Sequence, residues 1–269
     1  MDNHTLIQIE SVSKHYGSPR DGVLALRELS LNVRSGEFLS IIGPSGCGKS
    51  TLLRLVGDLL TPNRGRIRVN GRTPEQSRRE RDIAIVFQSP TLMEWRTIGN
   101  NIELPLEILG VDRSERERRS TELLDLIRLG DFKTSYPHNL SSGMQQQVAI
   151  ARALAYRPSV LLMDEPFGAL DELTRERLGR ELLEIWERAQ LTVLFVTHSI
   201  SEAVMLSDRV AVLTPRPGHI ERVVEIDLPR PRTVDMREWP RYAELVREVR
   251  TALRLTSPRN GEGNKRGGE

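Results

Sequence analysis

Residues Gly43-Pro44-Ser45-Gly46-Cys47-Gly48-Lys49-Ser50 fit the pattern G-x-x-x-x-G-K-[ST], and Thr51 follows directly. Each part of the pattern has a chemical use. The glycines let successive backbone N–H groups turn inward around phosphate oxygens. The Lys49 ammonium brings charge to the outer phosphates, and the Ser50 hydroxyl is placed to ligand Mg²⁺. Only four of the 39 basic residues are lysines, at positions 14, 49, 133 and 265, so Lys49 stands out in a chain that otherwise uses arginine. Cys47 fills an unconstrained position of the pattern and is the only cysteine, so no disulfide forms within the chain.

A second group of chemical residues is acidic. Val160 to Met163 is an apolar run ending in Asp164 and Glu165. Acids at the carboxyl end of a buried strand point into the ligand crevice of an α/β sheet, where Asp164 holds Mg²⁺ through water and Glu165 polarises an attacking water. Taken alone, the same residues also suit an ordinary surface loop. Ser141, Ser142 and Gly143 open a helix, and its free N–H groups with the positive end of its dipole make either a second anion site or a plain serine cap. Gln88 and His198 each follow an apolar run, as catalytic groups or as simple polar ends.

The elements that must position these residues follow from hydrophobic pattern. Runs at 39–42, 83–87, 160–163, 193–196 and 210–213 are apolar on both faces and predict buried strands of a mainly parallel sheet. Helical stripes fall between them, Leu178/Leu182/Ile185/Ala189 and Met144/Val148/Ala151/Ala155, the latter in a helix running to Tyr156. The alternation indicates an α/β fold. The N-terminal residues and 67–69 predict antiparallel strands, with Asn70-Gly71 suited to a tight hairpin turn. Residues 91–157 are almost wholly helical in pattern, with a capping box at Ser114/Glu117, a helix stop at Gly130 and a solvated mixed-charge face over 113–119. After the turn Pro215-Arg216-Pro217-Gly218 a strand is expected at 220–226. An amphipathic helix carrying Trp239, Tyr242, Leu245, Val246, Val249 and Leu253 follows, and then a disordered tail from Ser257.

Composition narrows the class. With 269 residues, a formal net charge of +2, 38% hydrophobic and 28% charged residues, the chain has the balance of a globular protein and not of a polybasic nucleic-acid binder. No run approaches the ~18–20 apolar residues of a membrane span, and no leader pattern is evident, which predicts a cytosolic location.

Together these residues resemble the ATP-binding subunit of an ABC transporter, over residues 16 to about 226 and in the family's order. The resemblance implies a P-loop NTPase core flanked by helices, with an antiparallel β subdomain and an inserted helical subdomain at about 91–157. It makes 1–230 the ATPase domain, followed by a C-terminal helix over 231–256 and a disordered tail over 257–269. By the same resemblance Tyr16 stacks on adenine, 43–51 is the Walker A loop, and Gln88 belongs to the Q-loop that reports nucleotide state to the membrane partner. Ser141 to Gly143 are the signature, Asp164 and Glu165 the Walker B acids, Asp171 the D-loop aspartate and His198 the switch histidine. ATP and Mg²⁺ are the implied cofactors, with Ser50, Gln88 and Asp164 at the metal and Lys49, Gln88, Glu165 and His198 in catalysis. Two such subunits pair head to tail, each ATP lying between one Walker A loop and the other's signature helix. The implied partners are a second subunit, a transmembrane permease and, indirectly, a solute-binding protein, at the cytoplasmic face of the cell membrane.

Phe167-Gly-Ala-Leu-Asp171, Trp95-Arg96-Thr97 and the 215–218 turn resemble importer subunits of the nitrate, sulfonate, taurine and bicarbonate group. The stripe Ile98, Ile102 and Leu109 is the expected permease dock, with packing inside the helical lobe as the plain alternative. Departures are specific. Ser142 stands where the signature's glycine pattern begins, Met144 replaces glutamine, Gln147 stands where arginine is common, and Glu94 replaces a proline before Trp95. A serine side chain crowds a backbone that approaches phosphate, which predicts slower hydrolysis and leaves as alternatives a non-hydrolysing or weakly active regulatory subunit, or an importer ATPase for a different small molecule. A soluble ABC ATPase of DNA repair or translation would need a long coiled-coil insertion or a second nucleotide domain, and a small-molecule kinase would leave the signature helix and His198 without a role.

Overall fold

The computed structural model describes residues 4–17 and 22–256; the tail expected to be disordered lies outside them. Two sheets organise the described residues. In the first, β1 (Thr5–Tyr16) runs antiparallel between β2 (Val23–Arg34) and β4 (Arg64–Val69). The second contains β3 (Phe38–Ile42), β5 (Ile83–Val86), β6 (Val160–Asp164), β7 (Thr192–Val196), β8 (Arg209–Leu213) and β9 (Ile220–Glu225) in the order β5-β6-β7-β3-β8-β9. All its pairings are parallel except β8 with β9. Strands β3, β6 and β7 are buried at every position, which is why they read as continuous apolar runs and not as alternation.

From β3 the chain crosses to the β5 edge, returns through β6 and β7, and then passes β3 to add β8 on its other side. The carboxyl end of β3 is therefore the switch point where a crevice opens. Helix α1 (Lys49–Val56) starts there, and its Leu52, Leu53, Leu55 and Val56 pack into the core shared with β3, β6 and β7.

Asn70 and Gly71 adopt φ of 53° and 73° and turn the chain as expected, but β4 takes β1 as its partner, and beyond the turn only Arg72 bridges back to Val69. The chain instead enters α2 (Pro74–Arg79) through a Thr73/Gln76 capping box.

The helical stretch contains α3 (Ile98–Ile108), α4 (Arg113–Leu126) and α5 (Ser142–Ala153), which share one core through Ile98, Ile102, Leu123, Leu124 and Val148. Several expectations fail here. Ile98 and Ile102 are fully buried and Leu109 is half-buried, so the first two residues of the stripe expected to dock a permease pack within the lobe; the most outward apolar residues nearby are Trp95 and Ile108, each 75% exposed. The cap of α4 is Asp112, and Glu117 accepts from Arg113 Nε at 2.7 Å, because a neighbouring guanidinium outcompetes the remote backbone N–H of a capping box. Arg128, at φ 59°, supplies the left-handed turn after α4 in place of Gly130, and α5 stops at Ala153, short of Tyr156.

Helix α6 (Glu172–Ala189) buries Leu178, Leu182 and Ile185 but leaves Ala189 exposed. Helix α7 (Ile200–Leu206) follows β7. Helix α8 (Pro240–Thr256) packs Tyr242, Leu245, Val249 and Ala252 against Val204, Val210, Val212 and Val224; Trp239 precedes it and is 41% exposed.

Candidate active site

The loop 43–48 forms because its glycines accept what other residues resist. Gly48 sits at φ 108°, where an added Cβ would meet Leu26 Cδ2 at 2.6 Å and the Ala25 carbonyl at 3.0 Å. The loop lines a cleft of about 340 Å³ with Tyr16, Ser45, Gly46, Gly48, Lys49, Ser50, Thr51, Glu165 and Arg216. Lys49 is 6% exposed, and its Nζ donates to the carbonyls of Gly43 at 2.9 Å and Pro44 at 3.2 Å. A buried ammonium held over such a cradle is a waiting partner for phosphate. Cys47 is buried and its thiol is pushed up by that burial, which leaves it inert.

Strand β6 delivers the acids. Ser50 Oγ donates to Asp164 Oδ1 at 2.8 Å across the crevice. Burial raises the Asp164 pKa, and the Ser50 hydrogen bond and the positive charge of Arg54 pull it back in part. Glu165 adopts φ 48°, a strained conformation for a non-glycine residue, held by its N–H donating to Val196 O at 2.9 Å. Its carboxylate stands 3.9 Å from Lys49 Nζ and 3.1 Å from His198 Nδ1. Gln88 is exposed beyond β5; a Cβ built at Gly168 would stand 3.1 Å from its Nε2 and 3.7 Å from Glu165 Oε2, so both side chains flank that glycine.

Other expected site residues are placed less directly. Tyr16 Oη lies 3.2 Å from Thr51 Oγ1, and its ring is 38% exposed at the mouth of the cleft. Ser141, Ser142 and Gly143 do not line this cleft. Ser141 Oγ caps α5, accepting from Met144 N at 3.3 Å, while Gly143 packs on α6, where a Cβ would meet Thr174 Cγ2 at 2.7 Å. Asp171 caps α6, accepting from Thr174 N at 3.0 Å, and that bond holds its carboxyl below the usual range.

Two contributors were missed. Arg216 reaches the cleft from the 215–218 turn, whose Gly218 touches the phosphate loop: a Cβ there would stand 2.0 Å from Cys47 O. Buried Gln146 of α5 donates to Phe87 O at 3.2 Å, tying α5 to the backbone before Gln88. In the sequence the 215–218 segment reads as a turn before a strand and as a subgroup mark, with nothing to aim Arg216 at the cleft, and Gln146 carries no signal beyond its place in a glutamine run.

The chemistry of the donor set suits Mg²⁺ with a triphosphate. Ser50 and Asp164 offer hard oxygen ligands already facing one another. Among the described residues no group of three or more His, Cys, Asp or Glu forms a closed metal cage. An ion held by one or two side chains and completed by phosphate oxygens and water is the usual Mg²⁺ arrangement.

A phosphate loop at the switch point of a parallel sheet, with an acid pair at the end of β6, one strand removed from β3, defines a P-loop nucleoside triphosphatase. Residues 26–168 match the ABC transporter family. An uncharacterized ABC transporter ATP-binding protein of Methanocaldococcus jannaschii is 44% identical over 243 residues, 90% of each chain. A nitrate import ATP-binding protein of Synechocystis is 41% identical over 254 residues, 92% of this chain and 95% of that one. A taurine import ATP-binding protein of Rhizobium johnstonii is 44% identical over 239 residues, 87% of this chain and 90% of that one. The solved dimer of an ATP-binding cassette in a post-hydrolysis state, bound to ADP and Pi, superposes with a TM-score of 0.73 at 35% identity, covering 83% of this chain and all of that one. The chain belongs to the ABC transporter family and is one of its ATP-binding, ATP-hydrolysing subunits.

Proposed function

We propose that this chain powers an ABC importer for a small solute, an anion such as nitrate, a sulfonate, taurine or bicarbonate, by hydrolysing ATP beneath a separate permease. The observation that carries the reading is the convergence of Lys49, Ser50 and Glu165 on one cleft, with His198 on the Glu165 carboxylate. Relatives named for nitrate and taurine import, matched over nearly their whole length, support the solute class.

In this reading the phosphate loop and Lys49 hold the β- and γ-phosphates, and Tyr16 offers its ring to the base. Ser50 and Asp164 hold Mg²⁺, which when bound supplies charge neutralisation on the phosphates. Glu165 orients the attacking water and accepts its proton, while His198 fixes the carboxylate that does so. Gln88 stands beside Glu165 at Gly168 and so feels whether the site is filled.

Ser141 to Gly143 do not line the chain's own cleft, and this supports head-to-tail pairing, in which the start of α5 meets the γ-phosphate of the second copy. The exposed Trp95 and Ile108 give the permease an apolar landing place on the helical lobe. Among the described residues no helix is long and apolar enough to cross a membrane. In this reading the chain meets the bilayer through that partner, at its cytoplasmic face. The deciding test is co-purification with the permease and reconstitution in vesicles. ATP-driven uptake of one of these anions is expected with wild type. ATP turnover no faster than that of Glu165→Gln overturns the reading.

A further inference from the structure

Away from the nucleotide cleft, a cavity of about 70 Å³ lies between α6, α7 and the segment 232–237. Arg232 borders it and is 6% exposed. Its NH1 group donates to the carbonyls of Val204, Met205 and Ser207, at 3.1, 3.1 and 2.6 Å, and so closes the C-terminal end of α7. Its Nε is buried and has no hydrogen-bond partner among the described residues. Burial, with help from the like charge of Arg230, pushes the Arg232 pKa down to about 10, which still leaves it charged at neutral pH.

A buried cation calls for a counter-charge, and the described residues give Arg232 none in direct contact. The acid nearest in charge influence, Asp208, is already engaged. Its Oδ1 accepts from Arg230 NH2 at 2.7 Å and Nε at 3.0 Å, and its Oδ2 accepts from Phe38 N at 2.9 Å. Within the cavity, Arg237 pairs with Glu176 and Arg175 with Glu202. Arg180 forms no ion pair with any described residue. It borders this cavity and a wider cleft of about 240 Å³, and Arg232 borders both as well. Of the remaining acids bordering the two spaces, Glu172 lies two turns back along α6 from Arg180, ~12 Å at the helical rise, Glu187 lies two turns on, ~10 Å by the same rise, and Glu184 pairs with Arg128.

We propose that Arg180 and Arg232 hold a small oxyanion in the cavity between α6, α7 and residues 232–237, at a second anion site separate from the phosphate loop. The volume of about 70 Å³ admits an ion of four or five heavy atoms, since a single water needs a space of only ~10–15 Å³. Planar guanidinium groups pair well with oxyanions. Because Arg232 holds the end of α7, and α7 begins two residues after His198, the anion would sit against the element that carries the switch histidine.

The test uses the full chain carrying Lys49→Ala, so that the phosphate loop no longer competes for anions. Thermal melting is followed against sodium nitrate, bicarbonate and sulfate, with ionic strength held constant by chloride. At least one anion is expected to give a saturable rise in Tm with a midpoint of ~1 mM, and Arg180→Ala is expected to move that midpoint upward by about tenfold. Arg232→Met should abolish the response. If that variant does not fold, Arg180→Ala, an exposed position, carries the test alone. A linear rise shared by every variant is a salt effect and overturns the site, as does a saturable response unchanged in Arg180→Ala or the absence of any response.

Discussion

His198 Nδ1 stands 3.1 Å from Oε2 of Glu165. The two come from different strand ends, β7 and β6, and the parallel register that pairs Asp164 with Val196 is what brings them level. Glu165→Gln keeps the shape and hydrogen-bonding reach of the side chain but removes its basicity. Turnover is expected to fall at least ~100-fold while ATP still binds. Size-exclusion chromatography with ATP should then show a dimer that wild type does not accumulate. A Glu165→Gln protein that hydrolyses at the wild-type rate refutes the assignment.

If His198 acts through Glu165, removing both costs little more than removing the carboxylate. His198→Ala alone is expected to lower kcat by roughly tenfold, and adding it to Glu165→Gln should change the residual rate by less than about twofold. A fully additive double mutant would mean that His198 works independently of Glu165.

Asp164 pays for its position in stability. Burial raises its folded pKa above the ordinary 3.8, so the folded state binds the proton more tightly than the unfolded chain. Stability from this group is therefore lost as pH rises from the unfolded pKa through the folded one, and at pH 7 the charged carboxylate is a burden. Asp164→Asn keeps an oxygen to accept from Ser50 and removes the charge. In nucleotide-free protein Tm is expected to rise by roughly 2–4 °C, about 1 kcal/mol, with ATPase activity lost. The gain should shrink toward pH 4. An equal gain at pH 4 and pH 7 would rule out burial of charge as its source.

Much of this is legible in the sequence because the residues that matter obey local rules. The five buried strands announce themselves by length and apolarity, and the phosphate loop by spacing. The errors came where one residue's role depends on a distant partner. Ser114 with Glu117 has the form of a cap, but Glu117 is taken by Arg113. Ile98 and Ile102 form a stripe that periodicity cannot assign to core or partner, and the packing of α4 and α5 decides it. Arg216 reaches the cleft only because the 215–218 turn, which leaves β8 beside β3, folds over the phosphate loop.

That contact makes Gly218 a support of the site. Its N–H donates to Ala25 O at 2.8 Å and its carbonyl accepts from Arg27 N at 3.0 Å, so the backbone is fixed on both sides. A Cβ at this position would lie 2.0 Å from Cys47 O. Gly218→Ala must therefore displace the phosphate loop. Titration with a fluorescent ATP analogue is expected to show at least tenfold weaker binding, with Tm lowered by roughly 5 °C. Wild-type affinity in this variant would show that the turn is free of the loop.

Ser142 tests whether the departure from the signature pattern limits the rate. It is the first residue of α5, exposed, and no part of it lines the cleft of its own chain. Replacing it with glycine costs the helix no more than ~0.5 kcal/mol at this terminal position, so Tm should barely move. ATP binding to the single chain should be unchanged for the same reason. In the head-to-tail dimer, however, loss of the Cβ and hydroxyl lets the α5 N–H groups come closer to the phosphate of the second copy. Hydrolysis is then expected to rise roughly threefold, a barrier change of about 0.65 kcal/mol. The gain should depend on protein concentration, because only the paired form can express it. A rise seen equally at dilutions that leave only monomer would place Ser142 in its own chain's site, against the pairing proposed for the two subunits.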